Sequence, residues 1–431
     1  MRTIKTKTDF LLDELKPKLL SWAQQFEEVI WLDSNDHVQN HSSYKAILAV
    51  DAKTRLKCGS DGAFDRLSNY QETANDWLFG YLSYDLKNDV ENLFSDNVDK
   101  LFFPDLYFFQ PKKVFLFKDN EVEIHYLQEV ESQIDEDWNS IRGGRTLTGI
   151  TAIEEPIKIR LRTTKDNYFY KVNDMLRHIE RGDIYEANFC QEFFAEDTQI
   201  DPLRAFYHLN TISTPPFATF LKLGHLHALS ASPERYLKKD GNQVISQPIK
   251  GTAKRLKDPE ADRKMAKALE SDPKERSENI MITDLVRNDL SRFAIKGTVA
   301  VEELCKIYTF EQVHQMISTV KCEVPTSISP VSLIRNTFPM GSMTGAPKIS
   351  AMKIIEDLED AKRGLYSGAI GYFAPNGDFD FNVVIRSILY NSQEQYVSFS
   401  VGGAITAKSK PENEYEECLL KAKAMRKVLE G

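Results

Sequence analysis

Long apolar runs are missing from this 431-residue chain: none approaches the about 18 residues that a membrane-spanning helix needs. The opening Met1-Arg2-Thr3-Ile4-Lys5 also lacks the apolar centre of a secretion signal, so neither a membrane nor an export route is expected. Cysteine is scarce. The five cysteines, Cys58, Cys190, Cys305, Cys322 and Cys418, form no close-spaced pair, which argues against a disulfide framework and a thiolate zinc site and points to a reducing cytoplasm. No cysteine sits on a glycine elbow of the kind a glutaminase needs. Basic runs are absent as well: 55 Lys and Arg are scattered among 64 Asp and Glu for a net charge of -9, which leaves no footprint for nucleic acid. With 42% hydrophobic and 28% charged residues, what remains is an ordinary globular composition, enough for one large core or two smaller ones.

The chain is organised around an acid and an amine, Glu234 in Ser232-Pro233-Glu234-Arg235 and Lys250 in Pro248-Ile249-Lys250-Gly251-Thr252. Between them, Tyr236 to Ile245 reads as two short strands joined at Asp240-Gly241, a dipeptide suited to a tight hairpin. An antiparallel ladder would leave Glu234 and Lys250 near the open end, about three residues out of step. That is roughly 10 Å at ~3.3 Å per residue, room for a six-membered ring. Pro248 and Gly251 constrain the backbone on both sides of the lysine. The plainer alternative pairs Glu234 with Arg235 or Lys239 at the surface and leaves Lys250 as a solvated strand end.

Acid recurs on two predicted helices. Asp272, Pro273 and Glu275 give the start signals of one, with Glu275 in a capping position and Glu278 one turn further on without such a task. The other runs from Pro411 to Leu429, with Ser409 and Glu412 spaced as a capping box and Glu414, Glu417 and Lys421 along one face. Two such faces together could hold one hard cation such as Mg2+ through oxygen ligands; separately each reads as a solvated acidic face, the second with a Glu417–Lys421 pair. Gly341 to Lys348 is a glycine loop with Pro347 expected in the first turn of a helix, a place where backbone N–H groups can receive an anion; it lacks Walker spacing. Arg386 interrupts an apolar run that reads as a buried strand, and a buried arginine needs a carboxylate, internal or borne by a substrate.

Residues 1–150 alternate helix-like segments (Phe10 to Phe26) with strand-like ones (Tyr44 to Val50, Lys113 to Phe117) and show no chemistry; the aromatic stretch Trp77 to Leu86 reads as a strand packed into the core. A polar stretch from Glu131 to Glu155 marks a boundary, after which a helix-like segment, Lys165 to Arg181, leads into Ile184-Tyr185-Glu186-Ala187-Asn188-Phe189, read as structural.

Ser-Pro-Glu followed by Pro-Ile-Lys-Gly-Thr resembles the chorismate-utilising enzymes, and the lysine form of the second motif is similar to the aminodeoxychorismate synthase component I family; anthranilate synthases usually have alanine where Lys250 stands. Ser277 to Asp289 and Glu414 to Ala422 resemble further segments of the family. The resemblance covers roughly residues 160–430, a chorismate-binding catalytic domain, and more weakly 1–150, the N-terminal region of the same fold. It implies an α/β (α+β) architecture of two large, mainly antiparallel β-sheets packed together with helices outside. It makes Lys250 the nucleophile and Glu234 the general acid, and Glu278 and Glu417 the principal Mg2+ ligands, with Glu275 and Glu414 second. Around the substrate it places Gly251, Thr252, His314, Ser342, Tyr366, Arg386, Gly402, Gly403 and Lys421. Ala404 departs from the pattern, where a third glycine is common. The implied reaction joins chorismate and ammonia to give 4-amino-4-deoxychorismate, with ammonia from a separate glutamine amidotransferase subunit or from solution. Competing expectations are an anthranilate synthase component I, an isochorismate synthase, and a non-catalytic subunit that binds the amidotransferase.

Overall fold

The run Ala46-Ile47-Leu48-Ala49-Val50 has no polar alternate, and a strand apolar on both faces must be covered on both. In the computed structural model, which describes residues 1–37, 41–144, 156–310 and 313–431, it opens the strand Ala46–Cys58, and alternate residues enter different cores. Ile47 and Ala49 join Ile30, Phe79, Tyr81, Leu237 and Phe381 in one. Ala46, Leu48 and Val50 join Val29, Trp31 and Phe220 in the other, beneath the helices Leu12–Ala23, Lys165–Glu180, Pro202–Ser213 and Pro411–Glu430. The period of two along each strand thus decides which core a side chain reaches. Truncating an anchor such as Trp31 is expected to cost ~3–5 kcal/mol.

The described residues form a continuous network of 20 strands whose ladders are all antiparallel. Two strands of 13 residues each, Ala46–Cys58 and Leu106–Lys118, run through both layers of the sandwich, and their register shifts between Ala52 and Thr54, a bulge that lets the pair bend. One layer continues through Glu28–Asp33, Phe217–Leu223, Leu226–Ser232, Ser387–Asn391, Tyr396–Thr406 and Glu186–Ala195. The other continues through Leu78–Leu82, Ala369–Phe373, Phe379–Val383, Arg235–Asp240, Gln243–Gln247 and Val313–Glu323. Strands from the first 150 residues pair directly with later ones in both layers, Glu28–Asp33 with Phe217–Leu223 and Leu78–Leu82 with Ala369–Phe373.

A second crossing between layers matters most. Leu226–Ser232 lies in the first layer and Arg235–Asp240 in the second, so Pro233-Glu234 is the corner that joins them. Beside it, Phe379–Val383 crosses back to Ser387–Asn391 through Arg386. The corners are stitched together: Val383 N donates to Glu234 O at 3.0 Å and Ala231 N donates to Arg386 O at 3.1 Å. Arg386 is therefore not inside a strand, as its apolar surroundings predict, but at a bend with φ of +52°, a conformation that costs an arginine free energy.

Other local expectations are also refined. The helix from Pro273 runs to Ser291 with Asp272 capping the N–H groups of Lys274 and Glu275. Lys410, not Ser409, stands at the N-cap of Pro411–Glu430, because the Ser409 hydroxyl accepts the Thr406 N–H instead. Pro347 is the N-cap of Lys348–Leu358 rather than its first residue, since Gly345–Ala346 pairs with Glu186–Ala187 and keeps the chain extended up to it. The hairpin turns at Asp240-Gly241 and closes where Arg235 pairs with Gln247. Lys250 lies beyond it on Ile249–Lys254, which pairs with Val313–Glu323, since Pro248 has no N–H with which to extend the first ladder. Of the stretch Glu131 to Glu155, residues 145–155 lie outside those described.

Candidate active site

Glu234 is 4% exposed at the corner between layers. Burial pushes its carboxyl up to about 7, against hydrogen bonds from the Ser342 hydroxyl and the Ile249 N–H and the charge of Lys250. An acid held there is protonated in a large fraction of molecules near neutrality, which suits it to deliver a proton to a leaving group.

Lys250 occupies a bulge. The ladder between Ile249–Lys254 and Val313–Glu323 slips between Ile249 and Thr252, with Gly251 at φ of +93°. Bulges turn a side chain out of the regular alternation, and here the turn sets Lys250 among acids: its charge acts on Glu186, Glu234, Glu278 and Glu417. Gly251 has little alternative, because a Cβ would stand 3.1 Å from Glu275 Oε2 and 3.2 Å from Met316 Cβ. The Asn279 amide clamps the acidic helix to the bulge, donating to Met316 O at 3.1 Å and Lys250 O at 3.4 Å.

The four helix glutamates share one electrostatic neighbourhood. Burial raises Glu278 to about 7, helped by the charges of Glu275 and Glu186 and opposed by Lys250 and Lys274. Glu275 and Glu414 are raised by burial and then by Glu417. For Glu417 burial is outweighed by Lys421, which sits 2.7 Å away, and by Lys274 and Lys250, so its carboxyl is held below its usual value. Gly403 faces this group, with Glu414, Glu417 and Lys421 atoms 3.5–3.7 Å from where a Cβ would be, and Lys421 Nζ donates to Gly402 O at 2.8 Å. Glu278 Oε1 is buried with no hydrogen-bond partner, its nearest cation being Lys274 Nζ at 3.8 Å. Among the described residues no three acids converge as a ready-made metal cage. An all-oxygen donor set with one orphaned carboxylate oxygen fits a hard cation that takes one or two carboxylates directly and keeps its waters.

Arg386 completes the corner. Its guanidinium is largely enclosed, and no carboxylate of the described residues lies within salt-bridge distance of it; Tyr366 is its charged-state neighbour, and burial lowers its tendency to hold a proton. The Tyr366 hydroxyl lies 3.6 Å from Cys190 Sγ, and a Cβ on Gly402 would strike that sulfur at 2.4 Å, so Tyr366, Cys190 and Gly402 pack as one wall. Ser342 is buried in the short helical turn Gly341–Met343. Two predicted residues stand apart: Thr252 is exposed, and His314 has both ring nitrogens engaged, 3.0 Å from Thr309 Oγ1 and 3.0 Å from Asp262 Oδ1.

Sequence reasoning passes over two groups. Arg363 is buried and satisfied by Glu359 through bonds of 2.9 and 2.7 Å; it also donates to Met343 O and Asn188 O at 2.7 Å, fixing the glycine loop against the strand that opens at Glu186. Glu186 is 2% exposed, with Oε2 unpartnered. The strand it heads also carries Asn188, Gln191 and Glu192, so no local pattern in the sequence singles it out.

Residues 7–427 match the sequence model of a family described as chorismate binding enzyme. The aminodeoxychorismate synthase of the chloroplast of Arabidopsis thaliana is 33% identical over 91% of this chain, and aminodeoxychorismate synthase component 1 of Escherichia coli is 40% identical over 62%. The matches span 46% and 58% of those proteins, about half their length. Among solved structures, anthranilate synthase component I from Streptococcus pneumoniae superposes with a TM-score of 0.80 at 24% identity, over 90% of this chain and 94% of that one.

Proposed function

The chain belongs to the chorismate binding enzyme family, and from that premise we propose that it converts chorismate and ammonia to 4-amino-4-deoxychorismate. The observation that carries this reading is the corner itself: a buried acid held near neutrality, Glu234, next to the charge of Lys250 and stitched to an enclosed arginine that lacks a carboxylate. A dicarboxylate ring supplies what is missing. One substrate carboxylate pairs with Arg386, and the Ser342 loop receives the same or the other by hydrogen bonds. The neutral amine of Lys250 attacks C2 while Glu234 protonates the departing C4 hydroxyl; ammonia then enters at C4, the C2–N bond breaks, and the lysine is released. Glu278 and Glu417 would hold Mg2+, with Glu275 and Glu414 reached through its waters. When bound, the cation supplies charge for a substrate carboxylate at the far end of the pocket.

The cysteines bear on the source of ammonia. All five are buried and burial raises each thiol, Cys190 and Cys322 to about 12, so none is the activated thiolate that glutamine hydrolysis requires. That supports delivery from a glutamine amidotransferase partner. Among the described residues no helix is long and apolar enough to cross a membrane. Incubating the purified chain with chorismate, ammonium and Mg2+ and identifying the product tests the reading. 4-Amino-4-deoxychorismate is expected, together with a Lys250-linked adduct when ammonia is left out; anthranilate or isochorismate as sole product would replace this reading with a competitor.

A further inference from the structure

Resting on the assignment of Lys250 as nucleophile, we propose that Asn279, oriented by Ser318, is a positioning residue: it holds the bulge that carries Lys250 so that this amine, rather than water or ammonia, reaches C2 of the ring.

The strand Val313–Glu323 is irregular on both edges at the same height. On one edge its ladder with Ile249–Lys254 slips between Ile249 and Thr252; on the other its ladder with Ala300–Thr309 slips between Glu303 and Lys306. Ile317 is the partner of both Ile249 and Lys306, so the two bulges lie opposite each other. Lys250 and Gly251 on one side, and Leu304 and Cys305 on the other, are left out of the ladders, and the backbone groups so released need other partners.

One pair of side chains supplies them. The Asn279 amide, reaching into the sheet from the helix Pro273–Ser291, donates to Met316 O at 3.1 Å and to Lys250 O at 3.4 Å. Its Oδ1 accepts the Ser318 hydroxyl, and the Ser318 oxygen accepts the Cys305 N–H at 2.9 Å. Ser318 N donates to Pro248 O at 3.2 Å, so the chain is held just before the bulge as well as within it. Asn279, Ser318 and Cys305 are all buried, and Cys305 takes φ of +53°, a backbone that a cysteine keeps only where its surroundings fix it.

The bulge aims Lys250 out of the regular alternation, and no ladder bond of its own keeps that aim. A lysine adds four rotatable side-chain bonds to the backbone, so slack at its carbonyl is carried out to Nζ. Asn279 removes that slack, and because its helix also bears Glu275 and Glu278 it fixes the lysine relative to those acids. A misplacement of ~1 Å at a reacting group costs on the order of a hundredfold in rate. The consequence reaches the product. Lys250 occupies C2 until ammonia has entered at C4. If the amine arrives late, water or ammonia attacks C2, the C4–O bond breaks, the hydroxyl leaves as water on the Glu234 proton, and the proton lost by the entering molecule restores Glu234. The ring then bears a 2-hydroxy or 2-amino group.

The test compares wild type, Asn279→Ala and Ser318→Ala by three measurements: kcat and KM for chorismate with saturating ammonium and Mg2+, the rate of Lys250-linked adduct without ammonia by intact mass, and the ratio of C4 to C2 products by chromatography. Melting temperatures establish that each variant is folded at the assay temperature. Ser318→Ala leaves the Asn279 amide in place without its orienting hydroxyl, and it carries the test where Asn279→Ala does not fold. Expected for Asn279→Ala is a fall in kcat on the order of tenfold to a hundredfold with KM within about threefold, an equal fall in adduct rate, and a larger share of C2 product. Ser318→Ala is expected to move all three the same way by less. Folded variants with a lower melting temperature but wild-type kcat, adduct rate and product ratio would overturn the proposal and leave the nucleophile intact, since the pair would then serve stability alone. A fall in kcat with an unchanged adduct rate or an unchanged product ratio would overturn it as well. A wild-type chain that forms no adduct overturns the nucleophile reading and this proposal together.

Discussion

Arg363 and Arg386 lie 23 positions apart, the first buried and the second half-buried, and they have opposite surroundings. Arg363 is bidentate to Glu359, caps two backbone carbonyls and lies over the Tyr84 ring at 4.5 Å. Arg386 has none of this, and its backbone is in the left-handed region besides. A buried charge with every donor answered holds structure; one left without a carboxylate at a corner, at a cost to the free protein, is open to an anion that binds. The same division runs through the acids: Glu359 is tied, whereas Glu186 keeps an oxygen with no hydrogen-bond partner and Glu278 one that has only Lys274 Nζ, 3.8 Å away.

The division breaks most visibly at the helix acids. Glu278→Ala and Glu417→Ala are each expected to abolish turnover while the circular dichroism spectrum stays that of wild type, and excess Mg2+ restores neither fully. Full activity in both at low Mg2+ would show that these acids are no more than a solvated face. Arg363→Ala is expected to do the reverse, lowering stability by ~3–5 kcal/mol in urea titrations because the buried Glu359 loses its countercharge and keeps only the Cys190 N–H. A stable Arg363→Ala protein with lost activity would remove the basis for separating the two arginines.

What was readable in the sequence was what local rules decide. Asp272 and Pro273 announce a helix start because capping acts within one turn, and Glu278 and Glu417 share their helices' acidic faces because the period is fixed. Glu234 and Lys250 were found by their turn-forming neighbours, although the lysine lies one strand beyond the hairpin, in a bulge that a partner strand imposes. Ser409 does not cap the helix, since its hydroxyl receives the N–H of Thr406, a contact no spacing reveals. That Arg386 has no carboxylate partner among the described residues and that Glu186 is buried depend on which strands cross between layers, and hydrophobic alternation specifies a strand's buried faces but not its neighbours.

Arg386→Ala sharpens the comparison from the other side. A charge-assisted pair is worth ~1.5–3 kcal/mol, so the KM for chorismate is expected to rise about tenfold or more. Stability is expected to hold or improve, since a largely enclosed charge without a carboxylate partner disappears, while the left-handed backbone at this corner is shared by alanine and stays. Unchanged kinetics with lower stability would place Arg386 in the same class as Arg363.

The smallest effect is in the pH dependence of stability, and its sign is opposite to that of a salt-bridged acid. Glu278 is raised from an ordinary 4.5 to about 7 by burial, so between those values the folded chain keeps a proton that the unfolded chain has released. Fewer protons on the unfolded state make stability fall as pH rises through this window and level off above it. Glu278→Gln carries no such proton, so its melting temperature is expected to match wild type near pH 4.5 and exceed it above pH 7, by on the order of 1–3 kcal/mol in free energy. Mg2+ binding favours the ionised carboxylate, so at pH 8 the cation is expected to raise the melting temperature of wild type and to raise that of Glu278→Gln far less. Parallel pH profiles with equal Mg2+ responses would mean that Glu278 bears neither the buried proton nor the metal, and the orphaned oxygen would then have no part in binding.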